Sequence, residues 1–264
     1  EKIAFNCNLR EEDIISAPDI TSVYEVPVNF EKDGLGEIVL KKMGLKKRTR
    51  DLKEWKRLVS VIQKPNKPVV KIGVVGKYFA TGDFSLADSY ISVIEALKHA
   101  AWFHKREPKL VWLDAERYEK NPKTFKELKD YDGVLVPGGF GDRGIEGKIK
   151  AIKFARENDI PFLGLCLGLQ TAVIEFARNV CRLKGANSTE FNRRSPYPVI
   201  DIMPDQKKIK NKGGTMRLGT YRAALDKNSI VRRLYGANLI SERHRHRYEV
   251  NPRYHDVLRK HGLI

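Results

Sequence analysis

Apolar and polar residues follow two different textures along this chain, and the change between them falls near residue 69. Ahead of it, Leu52, Trp55, Leu58, Val59 and Ile62 recur at helical spacing and predict a helix over 51–63, which Lys64-Pro-Asn-Lys-Pro68 breaks. A second helix is predicted over 34–43. Residues 2–7 read as a strand, and 16–30, with Pro18 and Pro27, show no clean period. A stretch of this kind hardly makes a core alone. Residues 1–50 therefore read as the tail of something larger, and 51–68 as a linker helix with a proline-containing linker.

From Val69 onward short apolar runs alternate with helical patterns. Strands are predicted over 69–76, 109–114, 132–137 and 162–165. Helices are predicted over 86–104, where Ile91, Ile94, Leu97, Lys98 and Ala101 mark one face, over 124–129 and over 145–157. Apolar strands in βαβα order imply an α/β fold, a mostly parallel sheet with helices on both faces. Further on, Gly213–Gly219 leads into a strand, and Ser229 is placed to cap a helix running to Tyr235. Residues 242–250 predict another strand, whose alternation puts His244 and His246 on one face and the arginines on the other.

The most distinctive chemistry lies between Pro161 and Arg178. An apolar run ends in Gly164-Leu-Cys166-Leu-Gly168, and Leu169, Val173, Ile174 and Ala177 then continue at helical spacing. The pattern is a strand turning sharply into a helix with cysteine at the corner, where glycines let neighbouring backbone approach. Cys166 then lies at a helix N-terminus, whose free N–H groups favour a thiolate, and the Leu167 amide can receive an oxyanion. A cysteine among apolar residues is otherwise inert core; the paired glycines favour the corner. Pro137-Gly-Gly-Phe-Gly141 reads as a tight turn or as the loop supplying a second oxyanion amide from Gly139. It lacks the Lys-Ser/Thr of a phosphate-gripping loop.

Bulk composition narrows the class. The 264 residues, 41% hydrophobic and 9% aromatic, suit a globular protein, and no run has the length of a bilayer span. The start lacks a signal-peptide layout, and Cys7, Cys166 and Cys181 form neither a disulfide framework nor a metal cluster. A cytoplasmic protein is expected. A formal charge of +17 predicts attraction to polyanions, although runs such as Lys46-Lys47-Arg48 lack the interleaved aromatics of a nucleic-acid module and read as solvated surface. His244-Arg-His246 shows no third metal ligand, so no metal site is expected.

Five blocks in order carry a resemblance: Pro-Gly-Gly-Phe-Gly from Pro137 with Arg143-Gly144 and Glu146-Gly147, Gly-Leu-Cys-Leu-Gly-Leu-Gln from Gly164, Ala-Asn-Ser-Thr-Glu-Phe from Ala186, Gly-Gly-Thr-Met-Arg-Leu-Gly from Gly213, and Glu-Arg-His-Arg-His-Arg-Tyr-Glu-Val-Asn from Glu242. Together they resemble the class I glutamine amidotransferase domain of the CTP synthase family, with its flavodoxin-like architecture. The resemblance implies that 1–50 is the tail of a synthetase domain and 69–264 a glutaminase domain. It implies Cys166 as nucleophile, Gly139 and Leu167 as oxyanion donors, and Phe140, Gln170, Glu190 and Arg247 as contacts to L-glutamine, with Glu190 paired to the α-ammonium. Arg143 and 213–218 match loops associated with GTP.

The implied reaction releases ammonia for ATP-dependent amination of UTP to CTP. The implied partners are the synthetase domain of the same polypeptide, UTP, ATP, Mg²⁺ and the activator GTP, in a homotetramer without membrane or specific nucleic acid. The family completes its site with His-x-Glu in a His-Pro-Glu-Phe block, whereas none of the six histidines here is followed by Pro-Glu. The resemblance thus implies a C-terminally incomplete domain, weak or inactive by itself. Alternatives are a cysteine hydrolase of another elbow family, such as the dienelactone hydrolase type, a non-catalytic basic domain binding nucleotide or nucleic acid, and a filament-forming or structural role.

Overall fold

The structure, a computed structural model, describes residues 1–47, 49, 51–77, 90–139, 141–203 and 217–264. Two compact units divide it: Glu1–Pro68 with Ala100–Glu107, and Val69–His99 with Pro108–Ile264.

In the first unit, helix α1 (Lys2–Cys7) stands where a strand was expected. Ile3, Phe5 and Cys7 alternate as in a strand, so the local period alone favours the wrong element. The end of the segment decides for the helix, because Asn8 takes the left-handed conformation (φ 51°) that closes a helix, and the Leu9 N–H donates to the Ala4 carbonyl at 2.9 Å. Within the aperiodic 16–30 stretch lies the start of α2 (Val26–Lys32), which carries Pro27 in its first turn, where the missing N–H costs nothing. α3 (Leu35–Lys42) and α4 (Lys53–Gln63) follow as the pattern predicted. Of the described residues 1–47 only Ala4 is buried. Order comes instead from a few directed contacts. Trp55 Nε1 donates to the Tyr24 carbonyl at 2.6 Å, and the Tyr24 ring meets Trp102 edge-on at 5.3 Å. The buried Lys67 ammonium closes the end of α4, donating to the carbonyls of Ile62 (2.6 Å), Lys64 (2.9 Å) and Val61 (3.3 Å) and pairing with Glu107 at 3.0 Å.

The second unit contains β1 (Val69–Gly76), α5 (Ile91–Phe103) as far as His99, β2 (Glu107–Asp114) from Pro108, α6 (Ala115–Lys120), a 3₁₀ segment (Pro122–Asp130) in place of the short helix, β3 (Gly133–Val136), α7 (Ile145–Glu157), β4 (Phe162–Gly164) and α8 (Leu167–Asn179). The expected start of α5 lies outside the described residues. The sheet order is β2-β1-β3-β4, with β1, β3 and β4 parallel, Val134 opposite Phe162 and Val136 opposite Gly164. One core gathers Val75, Leu113, Tyr118, Leu128, Val134, Val136 and Ile152; another gathers Ile149, Leu167, Val173, Ile174, Val199, Ile200 and Leu258. α7 contributes to both.

β5 (Asn187–Ser188), β6 (Pro198–Ile202), β7 (Arg217–Ala224), α9 (Ile230–Tyr235), β8 (Leu239–His246), β9 (Tyr248–Val250) and α10 (His255–Lys260) complete the unit. Ser229 Oγ accepts the Arg232 N–H, capping α9 as expected. The single strand predicted over 242–250 is two. β8 pairs with β7, β9 pairs with β6, and the ladder breaks at Arg247, whose carbonyl accepts the Met203 N–H at 3.2 Å. Alternation alone does not reveal a change of partner.

Beyond β4 the Leu165 N–H donates to the Val136 carbonyl at 2.9 Å, and Cys166 then takes φ 52°, ψ −105° ahead of α8. A Cβ at Gly168 would lie 2.0 Å from the Val136 oxygen, and one at Gly164 would lie 2.6 Å from the Gly168 carbonyl carbon. Both contacts are backbone on backbone, so neither can yield cheaply.

Two outcomes follow. Gly168→Ala should destabilise the chain by ~2–3 kcal/mol or prevent folding, read as a lower urea midpoint. Lys67→Met, which leaves three helix-end carbonyls without their cation, should cost ~1–3 kcal/mol, read by denaturation followed on Trp55 and Trp102 fluorescence.

Candidate active site

Three neighbouring parallel strands deliver residues to one edge of the sheet: Lys77 after β1, Gly138 and Gly139 after β3, and Cys166 after β4. Sites in open α/β sheets form at the carboxyl ends of strands. Here the loops come within contact. The Gly138 Cα bears no side chain, and a Cβ built there would lie 3.4 Å from Cys166 Cβ and 3.9 Å from its sulfur. Gly139 faces Leu167, with 3.5 Å from a built Cβ to Leu167 Cδ2.

Cys166 is reachable by solvent, whereas its neighbours Leu167 and Gly168 are buried. Its backbone lies in a region that non-glycine residues rarely adopt, a strain held by the packing around it. The expectation of a favoured thiolate is not met. The Leu167 amide does donate to the sulfur and pull the thiol pKa down, but the crowding of surrounding chain pushes it up by more, and the Glu190 charge adds to the rise. The net direction is above an ordinary cysteine.

A cavity of about 110 Å³ is lined by Gly139, Cys166, Leu167, Gln170, Glu190 and Arg247, among others. Six of the seven residues singled out from the sequence therefore meet in one hollow; the seventh, Phe140, lies outside the described residues. Glu190 arrives on the turn after β5, with its N–H on Ser188 Oγ at 3.1 Å. Burial raises its carboxyl above the usual range, against the pull of Arg247 and then Lys77. Arg247 arrives through the break between β8 and β9. Buried Gln170 is held by its amide, which donates to the Tyr248 carbonyl at 2.9 Å, so it braces the wall between α8 and β9. Arg143 pairs with Glu116 at 2.8 Å, and 213–216 lie outside the described residues.

Two features escaped the sequence. Lys77, 4% exposed, ends β1 beside Gly141, where a built Cβ would lie 3.3 Å from its ammonium. A lysine closing an apolar strand gives no signal of where its charge points. The second is a cavity of about 320 Å³ that Cys166 and Gln170 share with His244, His246, Glu249 and His255. His246 Nε2 lies 2.6 Å from Glu249 Oε1. Glu249 sits three positions past the His-x-His pair and beyond a strand break, so periodicity did not bring it in.

Comparison with known proteins bears on this arrangement. The family described as glutamine amidotransferase class-I matches residues 85–262, and the family described as CTP synthase N-terminus matches residues 1–45. The CTP synthase of Methanocaldococcus jannaschii is 53% identical over 270 residues, covering 100% of this chain and 48% of that protein. That of Carboxydothermus hydrogenoformans is 51% identical over 264 residues, with the same two shares. The chain thus spans about half the length of the curated relatives it matches. Among solved structures, the glutaminase domain of Trypanosoma brucei CTPS with bound acivicin is similar at TM-score 0.66 and 41% identity, over 74% of this chain and 73% of that one. The fold and the family matches agree, and the chain belongs to the class-I glutamine amidotransferases and, among them, to the CTP synthase family.

Proposed function

We propose that this chain carries the glutamine-hydrolysing site of a CTP synthase, with Cys166 as its nucleophile. The observation that supports this most is the strained Cys166 backbone, which sets the sulfur beside Gly138 and in one cavity with Gly139, Leu167, Glu190 and Arg247. Glu190 suits the α-ammonium of L-glutamine and Arg247 its α-carboxylate, leaving the side-chain amide at the sulfur. Attack of Sγ on the amide carbon forms a C–S bond and places negative charge on the carbonyl oxygen, which the Leu167 and Gly139 amides receive. One such donor is worth ~10²–10³ in rate. The C–N bond then breaks, ammonia leaves with the proton lost from the thiol, and a thioester remains. Water cleaves it to glutamate and restores the thiol.

The wider reaction rests on family membership. In the full-length enzyme, ammonia passes to the synthetase domain of the same polypeptide, where ATP with Mg²⁺ activates UTP for amination to CTP and GTP acts as activator. A cytoplasmic homotetramer belongs to the same reading. Mg²⁺ does not fit the potential metal cluster among the described residues, because its two imidazoles are not the oxygen donors Mg²⁺ takes. No step at Cys166 is routed through these groups.

Four measurements test the proposal. A glutamine-like diazoketone should label the Cys166 peptide, and excess glutamine should suppress the label; labelling elsewhere, or no protection, argues for another elbow hydrolase. In the full-length enzyme, Cys166→Ala should abolish CTP formation from glutamine and spare formation from added ammonia; loss of both would overturn the division of labour. Glu190→Gln should raise the KM for glutamine by tenfold or more. The same change removes a negative charge that disfavours the thiolate, so the pH curve of Cys166 alkylation should move to lower pH, with more reaction at neutrality.

A further inference from the structure

We propose that His244, His246 and Glu249 form a binding site for a borderline divalent transition-metal ion, best matched by Zn²⁺. The chemistry rests on placement. Alternation along β8 puts the two imidazoles on one face, with ring centroids 5.0 Å apart, and the break at Arg247 turns the chain so that Glu249 returns to them. One donor atom from each residue lies within 4.8 Å of the other two, and all three residues are half-buried. Four ligands at ~2.0–2.1 Å around Zn²⁺ stand ~3.4 Å from one another, so the set needs shifts of an ångström or so to close. The 2.6 Å contact between His246 Nε2 and Glu249 Oε1 opens slightly, and the wider gaps shrink.

Room for the movement exists. Across the ladder His244 faces Gly219, where a built Cβ would meet nothing within 4 Å. The three residues also border the cavity of about 320 Å³ that holds Cys166, which leaves space for water as the fourth ligand. Imidazole donors exclude Mg²⁺ and Ca²⁺ as preferred ions and suit Zn²⁺, Ni²⁺ or Cu²⁺. Glu249 supplies the negative charge, which matters beside a strand bearing Arg243 and Arg245. Without it, two neutral imidazoles would hold a dication in a strongly basic chain.

The inference stands independently of glutamine hydrolysis, and its test needs no activity. The chain is titrated with Co²⁺, followed by the visible absorption of four-coordinate cobalt, and with Zn²⁺ by calorimetry. One ion per chain is expected. His244→Ala and Glu249→Gln should each weaken binding at least tenfold, and His246→Ala should do the same. Replacing His99, His104 and His261 together should leave binding unchanged. Should His246→Ala not fold by circular dichroism, the other two variants decide. Absence of binding at micromolar Co²⁺ and Zn²⁺, or binding indifferent to His244→Ala and Glu249→Gln, would overturn the site and reduce the trio to a hydrogen-bonded pair beside a tilted imidazole.

Discussion

The site depends on how closely the turn into α8 approaches β3. With the Gly168 Cα so near the Val136 carbonyl that a methyl group would overlap it, the first turn of α8 lies directly against the strand. Cys166, at the corner just ahead of that turn, takes φ 52° with ψ −105°. Glycine would adopt this positive φ without penalty, yet the residue is a cysteine. A non-glycine residue in so sparsely populated a conformation costs of order 1–3 kcal/mol, which the buried packing of Leu167, Val173 and Ile174 offsets. In return the sulfur projects beyond the sheet edge beside the loop from β3, instead of into the core as Cys181 does.

The same compactness explains the thiol's electrostatics. A free helix N-terminus lowers a cysteine pKa. Here one amide reaches the sulfur while the neighbouring chain strips water from it, and the loss of water is the larger effect. Glu190 opposes ionisation too, and its own carboxyl is held above the usual range by burial, with Arg247 and Lys77 pulling the other way. In the free site a carboxylate and an incipient thiolate share one small hollow, two like charges that each disfavour the other. A positive charge placed beside Glu190 would offset that carboxylate and so remove one of the influences raising the thiol.

Much of this arrangement was legible in the sequence, for reasons that differ by element. Apolar strands punctuated by glycine gave the parallel sheet, because both faces of such a strand are buried and no alternation competes. The bounds of α7 were readable to the residue, as Gly144 in a left-handed conformation opens it. The elbow was legible because its stereochemistry admits few residue types. What stayed hidden was long-range or local in the wrong way. α1 is decided by the left-handed Asn8, whereas the alternation of Ile3, Phe5 and Cys7 fits a strand. The division of β8 from β9 is decided by which strand lies alongside, and the location of the Lys77 charge by the loop it meets.

The break at Arg247 shows why such hidden features matter for chemistry. Had residues 242–250 continued as one straight strand, alternation would have put Arg247 on the face opposite His244 and His246, together with Arg243 and Arg245. Across the change of partner from β7 to β6, Arg245, His246, Arg247 and Tyr248 all line the same hollow as Glu190, so residues from both faces of the predicted strand meet there. The same change also swings Glu249 back to His246. One irregularity thus sets Arg247 in the hollow that Glu190 also lines and gathers His244, His246 and Glu249. The chain here serves two ladders, so its side chains are aimed by two different neighbouring strands.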